Sequence, residues 1–336
     1  MEPLRIGTLG AARITEHALV SPAAATGDRI VAIAARNRDR AAAFAHEHGV
    51  ENVLDSYHAV VNSPEVELVY NPLANAFHGP WNLASIRAGK HVLSEKPFAS
   101  NAAEAREVKD AARCAGVTVL EGFHYLFHPV MRRAHEILAS GEIGELTHVQ
   151  ARTLMPAPPD DDPRWDFELA GGSVMDLGCY GLHAHRMLAP FAGGGPVLTD
   201  ARGAERAGRP GVDEWVEAHF EFPGGATGSS LSSMTHDAFS MTLRLVGSAG
   251  ELVVADYVQP HKDDRVHISV PAGSRVERLG RRSSYLFQLE ALRDHLRNGT
   301  AIPIGIDDAV ENAELVDDIY RAAGFETRPS RSPTTA

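Results

Sequence analysis

The first 122 residues alternate short apolar runs with stretches of helical length, and this alternation constrains the chain more than any other feature. Apolar runs at 4–9, 29–35, 51–54, 66–71, 90–94 and 117–122 predict six strands. Between them, 39–48, 78–88 and 101–115 predict helices, and the alanine-rich 11–25 fills the first connection. The start of the third helix carries its own signal: Asn101 stands at the cap position with Glu104 three residues on, a capping-box spacing. Gly116 marks its end. Strands alternating with helices of this length form βαβ units around a mainly parallel sheet. Such sheets bind ligands beyond the carboxyl ends of their strands.

The pattern then changes. A helix is expected at 132–140, a strand at 146–153 and a glycine-started helix at 171–188. Alternating runs at 214–222, 226–233, 240–246, 251–255 and 265–270 predict strands, separated by turns such as Pro223-Gly224-Gly225 and Gly247-Ser248-Ala249-Gly250. Helices at 283–297 and 307–323 close the chain. The expectation is a cofactor domain at 1–124 and an α+β domain at 125–330, whose final helices return towards the first domain. A loose tail is expected at 331–336, with 1–2 and 328–336 as loose termini.

Composition narrows the function classes. A chain of 336 residues is long enough for two domains, and 44% hydrophobic with 23% charged residues is globular rather than disordered. No run of 18 apolar residues occurs, so no membrane partner is expected. The formal net charge of −12 argues against nucleic acid. Cys114 and Cys179 are the only cysteines, too few for a disulfide framework or a zinc spacing. His124 and His128 are four apart but precede Pro129 and join no ligand cluster, so no metal is expected. The opening Met1-Glu2-Pro3-Leu4-Arg5 lacks the layout of a signal peptide, and a cytoplasmic location is the expectation.

Three segments carry chemistry. The turn Gly7-Thr8-Leu9-Gly10-Ala11-Ala12-Arg13-Ile14-Thr15 leads from a strand into a helix. Gly10 supplies a tight turn that aims backbone amides and a helix N-terminus at a pyrophosphate. Ala12 and Thr15 stand where the second and third glycines of the dinucleotide fingerprint belong, so the strict fingerprint is broken. The second strand ends Ala34-Ala35-Arg36-Asn37-Arg38, without the acidic residue that grips the ribose of NAD. Arg36, helped by Arg38 or Arg40, suits a 2′-phosphate, which favours NADP(H) and leaves NAD(H) possible. Lys96, within Glu95-Lys96-Pro97 at the carboxyl end of the fifth strand, is placed to hold a substrate hydroxyl. Asp176, Tyr180 and His183 are spaced to share one side of a helix, where a carboxylate, a phenol and an imidazole suit proton transfer.

The ordered set of Gly10-x-Ala12, Glu95-Lys96-Pro97 and Gly171-Gly172-x(3)-Asp176-x-Gly178-x-Tyr180 resembles the Gfo/Idh/MocA oxidoreductases over almost the whole chain. The stretch Tyr70-Asn71-Pro72-Leu73-Ala74-Asn75-Ala76-Phe77-His78 is similar to that family's nicotinamide-contacting loop. Arg164-Trp165 and Tyr285-x-x-Gln288-Leu289-Glu290-Ala291 also fit. The resemblance implies an α/β fold: an N-terminal Rossmann doubly wound parallel sheet plus a C-terminal α+β domain. The latter's open, mainly antiparallel sheet would build a homodimer or homotetramer. It implies cofactor contacts from Gly10, Ala12, Arg13, Ile14, Arg36, Arg38, Pro72, Leu73, Asn75, His78, Glu95, Lys96, Arg164 and Trp165. Substrate contacts would come from Lys96, Phe123, Tyr125, Asp176, Tyr180 and His183, with Lys96, Tyr180 and Asp176 catalytic.

Many members carry histidine where Tyr180 stands. Tyrosine there resembles the branch holding dihydrodiol dehydrogenase, aldose dehydrogenase and glucose-fructose oxidoreductase. Leu126 departs from the arginine of related sugar enzymes, which points to a less polar or larger alcohol. The expected reaction is hydride transfer between nicotinamide and a secondary alcohol or hemiacetal carbon of a sugar, polyol or dihydrodiol. Tyr180 would exchange the proton, and Lys96 beside it would favour phenolate. Alternatives are a ketoreductase of a nucleotide-linked sugar, an inositol dehydrogenase, or a nicotinamide-sensing regulator without turnover.

Overall fold

Two sheets organise the chain, one in each of two units. The computed structural model describes residues 2–332. The first unit takes residues 2–123, Tyr285–Ala313 and 329–332; the second takes His124–Ser284 and Glu314–Arg328. The expected tail falls partly outside the described residues, since 333–336 are not among them.

In the first unit, β1 (Arg5–Leu9), β2 (Arg29–Ala34), β3 (Leu68–Asn71), β4 (His91–Ser94) and β5 (Val119–Glu121) form a parallel sheet in the order β2-β1-β3-β4-β5. These strands read as continuous apolar runs because both faces are covered by helices. On one side Val31, Val60, Val66, Val69 and Trp81 pack together; elsewhere Val92, Val119, Val108 and Ala112 join Ala309 and Val310 of the helix Ile306–Ala322. Each buried valine among them contributes about 1.5–3 kcal/mol.

Of the six expected strands, the third, at 51–54, does not form. Only an isolated bridge joins Val53 to Ile33, with Asn52 tied to Val31 by its side chain. The ladder stops because Ser56 caps the helix Tyr57–Val61, its hydroxyl accepting from Ala59 N. Elsewhere the cap signals hold. Asn101 accepts from Glu104 N at the start of the helix Ala102–Ala115, and Gly116 ends it at φ 65°.

In the second unit, β6 (Leu146–Leu154), β7 (Val197–Glu205), β8 (Asp213–Glu221), β9 (Thr227–Ser233), β10 (Ser240–Gly247), β11 (Gly250–Val254), β12 (Arg265–Val270) and β13 (Gly273–Arg278) form one sheet, in the order β13-β12-β11-β10-β6-β9-β8-β7. Only the β6–β9 pair is parallel; the other neighbours are antiparallel. One face is buried, through residues such as Val149, Leu243, Leu252 and Ile268. The helix Cys179–Met187 packs closely on that face. A Cβ on Gly181 would come within 2.5 Å of Ser230 Oγ, so only glycine allows the approach. The glycine-started helix of the sequence reading is not uniform: Val174–Gly178 forms a π-helical turn before the α-helix begins.

Arg328, expected in a loose terminus, is instead fully buried. Its Nη2 donates to Asp213 Oδ1 at 2.5 Å and its Nε to Gly171 O at 2.7 Å. The other Asp213 oxygen accepts from Ser173 Oγ and Val174 N, both at 2.8 Å. The guanidinium also lies over the Tyr320 ring, 4.1 Å from its centre. A buried charge persists only when paired in this way; removing one partner of such a pair costs about 3–5 kcal/mol.

Candidate active site

At the carboxyl end of the first sheet, Gly10 follows β1 with φ 89°, and its N–H donates to Ala34 O at 2.7 Å. A side chain there would be strained and would meet Leu73 at 3.4 Å. Ala12, in extended conformation, leads into the helical turn Arg13–Thr15, which continues as the π segment Glu16–Val20 and the helix Ser21–Thr26. The first N–H groups of a helix have no acceptor within it, so this turn offers donors to an anion. Arg13 is exposed and Ile14 half-buried.

The three arginines after β2 have different settings. Arg38 is ion-paired with Asp55 on the surface. Arg40 Nη2 donates to Ala11 O at 2.5 Å, bracing the glycine turn from the helix Arg38–His48. Arg36 is exposed at the strand end. Beside them lies the Tyr57 hydroxyl; burial raises its pKa, and the nearby Arg36 and Arg40 oppose that rise. Tyr57 was not singled out from the sequence, where it reads as an ordinary aromatic. The donor set fits a phosphate-bearing dinucleotide: a helix start, a positive-φ glycine, and guanidinium groups with no carboxylate at the tip of β2.

The loop after β3 is held from within. Pro72 is buried, while Leu73 and Asn75 are half-buried. His78 is fully buried, with Nδ1 2.7 Å from Pro97 O and Nε2 2.8 Å from Leu73 O. Burial, aided by the positive charge of Lys96, lowers its pKa to about 4. The ring thus bridges the 72–77 loop to the segment carrying Lys96. Glu95 is likewise buried, its Oε1 accepting from Tyr70 Oη at 2.8 Å. Lys96, half-buried, follows β4, and its bond to Pro97 is cis. Asn82 ties the strand ends together, bonding Asn71 at 2.9 Å and Ser94 Oγ at 2.9 Å.

In the second unit the helix Cys179–Met187 carries Tyr180 and His183. Tyr180 is 5% exposed, and its hydroxyl lies 3.4 Å from His124 Nε2. Tyr125 and His183 are bonded to each other at 2.6 Å and are both fully buried. The Tyr125 ring meets those of Tyr180 and Tyr257 edge-on, with centres 6.0 and 5.3 Å apart. Tyr125 and His183 therefore form a satisfied wall against Tyr180; Phe123, in the first unit, is also fully buried.

Asp176 falls in the π turn, and its Oδ2 accepts from Arg164 Nε at 2.7 Å. Arg164 also holds Asp162, and these two carboxylates raise its pKa. Trp165 is buried, its N–H donating to Pro158 O at 3.3 Å and its ring covered by Arg206 at 4.9 Å. Tyr125, Tyr180 and His183 thus come together, and Asp176 pairs with Arg164. The sequence reading missed His124 as the partner of Tyr180. Its signal was present, a histidine directly before Tyr125, but was weighed there only as a metal ligand. Among the described residues no metal-ligating cluster forms.

Comparison with known proteins agrees with this geometry. Residues 4–123 match the oxidoreductase family with an NAD-binding Rossmann fold, and residues 131–253 match the GFO/IDH/MocA C-terminal domain. A D-xylose 1-dehydrogenase (NADP(+)) from Haloferax volcanii is 32% identical, over 95% of this chain and 97% of its own length. A trans-1,2-dihydrobenzene-1,2-diol dehydrogenase from Mus musculus is 29% identical over 96% and 97%. The 3-ketoreductase KijD10 from Actinomadura kijaniata, solved with NADP and TDP-benzene, superposes with a TM-score of 0.88 at 27% identity, covering 96% of this chain and 98% of that one. With both halves of the chain matched, the Rossmann turn at Gly10 and the sheet behind Tyr180 belong to one known architecture, and the protein is a member of the GFO/IDH/MocA family of oxidoreductases.

Proposed function

We propose that the protein is an NADP-dependent dehydrogenase that oxidises a secondary alcohol or hemiacetal carbon of a sugar, polyol or dihydrodiol. The observation that carries this reading is Tyr180, nearly buried on the helix that follows the glycine pair, with its hydroxyl facing His124 Nε2. A phenol so placed exchanges a proton with a substrate hydroxyl. The bound nicotinamide supplies or takes up the hydride. Gly10, Ala12, Arg13 and Ile14 hold its pyrophosphate, and Arg36 its 2′-phosphate. Lys96 binds the reacting hydroxyl and stabilises the developing alkoxide, while Asp176, fixed by Arg164, anchors a further hydroxyl. The similarity to KijD10 favours a second reading, reduction of a nucleotide-linked keto sugar at the same residues.

The deciding experiment follows nicotinamide absorbance with NADP and NAD across aldoses, trans-dihydrodiols and dTDP-linked sugars. Oxidation of a free sugar or dihydrodiol supports the first reading; turnover of dTDP-linked sugars alone moves the assignment to the second. Tyr180→Phe and Lys96→Met should each lower kcat by about 10²–10⁴-fold with NADP affinity retained. Undiminished turnover in Tyr180→Phe overturns the proton-exchange role.

We infer further that two copies associate through the open face of the second sheet. That face presents Trp215, Leu231 and Val253 half-buried, and Val276 at 52% exposure.

A further inference from the structure

A chain of polar side chains runs through the second unit from Tyr180. Tyr180 Oη lies 3.4 Å from His124 Nε2. His124 Nδ1 lies 2.8 Å from Ser284 Oγ, and Ser284 Oγ lies 3.3 Å from His261 Nδ1. His124 is 1% exposed and Ser284 fully buried, whereas His261 is half-buried in the segment between β11 and β12. The chain therefore begins at the proposed proton-exchanging phenol, crosses two buried groups and ends where water reaches.

The hydrogen-bond inventory makes this order meaningful. Ser284 has one proton and faces an imidazole Nδ1 on each side, so it donates to one ring and accepts from the other. Two arrangements satisfy every group. In one, Tyr180 donates to His124 Nε2, His124 Nδ1–H donates to Ser284, and Ser284 donates to His261 Nδ1. In the other, each bond is reversed, and His124 Nε2–H donates to a Tyr180 phenolate. Moving one proton along the chain converts the first arrangement into the second.

We propose that His124, Ser284 and His261 form a proton relay that connects Tyr180 with solvent. This rests on the reading of Tyr180 as the group that exchanges the substrate proton. In the oxidation direction the relay starts from the first arrangement: Tyr180 passes its proton to His124 Nε2, while His124 Nδ1 gives its proton to Ser284 Oγ. Ser284 gives its own to His261 Nδ1, and His261 Nε2 releases one to water. The phenolate so formed takes the hydroxyl proton of the substrate, and the imidazole rings and the serine hydroxyl turn back to the first arrangement before the next turnover. One proton enters, one leaves, and no electrons move along the chain. Reduction runs the same sequence inward. The titratable and charged groups near His261 are His128, itself beside Asp264, and the adjacent Lys262.

The test uses the full-length enzyme saturated with cofactor and substrate in weakly buffered solution. His261→Ala should lower kcat about 10-fold, leave KM and NADP affinity unchanged, and regain turnover as imidazole is added. His124→Met, which fills its site, should lower kcat at least as far and not respond to imidazole. Ser284→Ala should behave like His124→Met. Histidine ¹⁵N NMR of the unmutated protein with Tyr180 protonated should find His124 in its Nδ1–H tautomer. Full turnover of His261→Ala with no buffer dependence overturns the relay, as does a loss in His124→Met that appears in NADP affinity or melting instead of kcat. An Nε2–H tautomer at His124 does the same. If Tyr180→Phe retains full turnover, the reading of Tyr180 fails, an outcome distinct from failure of the relay.

Discussion

Arg36, Arg38 and Arg40 lie within five positions and are alike in the sequence, yet the folded chain gives each a separate task. Arg38 meets Asp55 and Arg40 braces Ala11, which leaves Arg36 exposed at the end of β2. A charge-assisted bond to a phosphate is worth about 1.5–3 kcal/mol. Arg36→Ala should therefore weaken NADP binding roughly 10–100-fold in a fluorescence titration and change NAD binding little. An equal loss for both cofactors removes the phosphate role. The sequence exposed the missing acid at this strand end but not the division of labour, because Asp55 and Ala11 reach their arginines only through tertiary folding. His124 was hidden for a similar reason: its partners are Tyr180 and Ser284, 56 and 160 residues away.

At the scale of the element, the helix Ala102–Ala115 was legible in advance, caps included, yet its capping glutamate behaves unusually. Glu104 accepts from Ser100 N at 2.7 Å and lies so close beneath Gly79 that a Cβ there would come within 2.4 Å of its carboxyl carbon. Burial raises its pKa from 4.5 to about 7, against the opposing bonds from Ser100. The folded state therefore holds this proton more tightly than the unfolded chain does. Glu104 contributes its full stability below about pH 4.5 and loses it as pH rises through 7. The loss amounts to about 3 kcal/mol. Urea denaturation of the protein and of Glu104→Gln should show their stability difference changing by about this amount between pH 4.5 and 7.5. A constant difference refutes the perturbed carboxyl.

Other elements were legible only in part. The helix expected at 171–188 begins as a π turn that holds Asp176, whose carboxylate accepts from Arg164. A fixed helical period cannot register one wide turn. Strand β13 carried no signal, because Gly273–Arg278 is polar and lies at the sheet edge.

For the whole molecule, the second sheet raises the question of what covers its open face. Eight strands present Trp215, Leu231 and Val253 there, among charged neighbours such as Glu217, Arg152 and Arg244. Light scattering should give a multiple of the 36.1 kDa chain, and Leu231→Glu, near the middle of the sheet, should return the mass of one chain. A single-chain mass for the unmutated protein removes the proposed association. The switch between alternating α/β signals and short strands carried the expectation of two domains, with the final helices returning towards the first; the placing of Tyr285–Ala313 in the first unit is a matter of packing. It depends on residues such as Ala309 and Val310 meeting a core assembled hundreds of residues earlier.

The Arg328–Asp213 pair also sets an order of events. Gly171 and Asp213 leave the ribosome long before Arg328, which lies 157 residues after Gly171 and 115 after Asp213. Until it arrives, the Asp213 carboxylate has its hydroxyl and amide donors but no countercharge, and the turn leading to Asp176 has no guanidinium anchor. During synthesis the Rossmann strands can pair early, while the segment carrying Asp176 and Tyr180 is fastened only when nearly all of the chain has been made. A nascent protein of this kind acquires its fold first and its chemistry last.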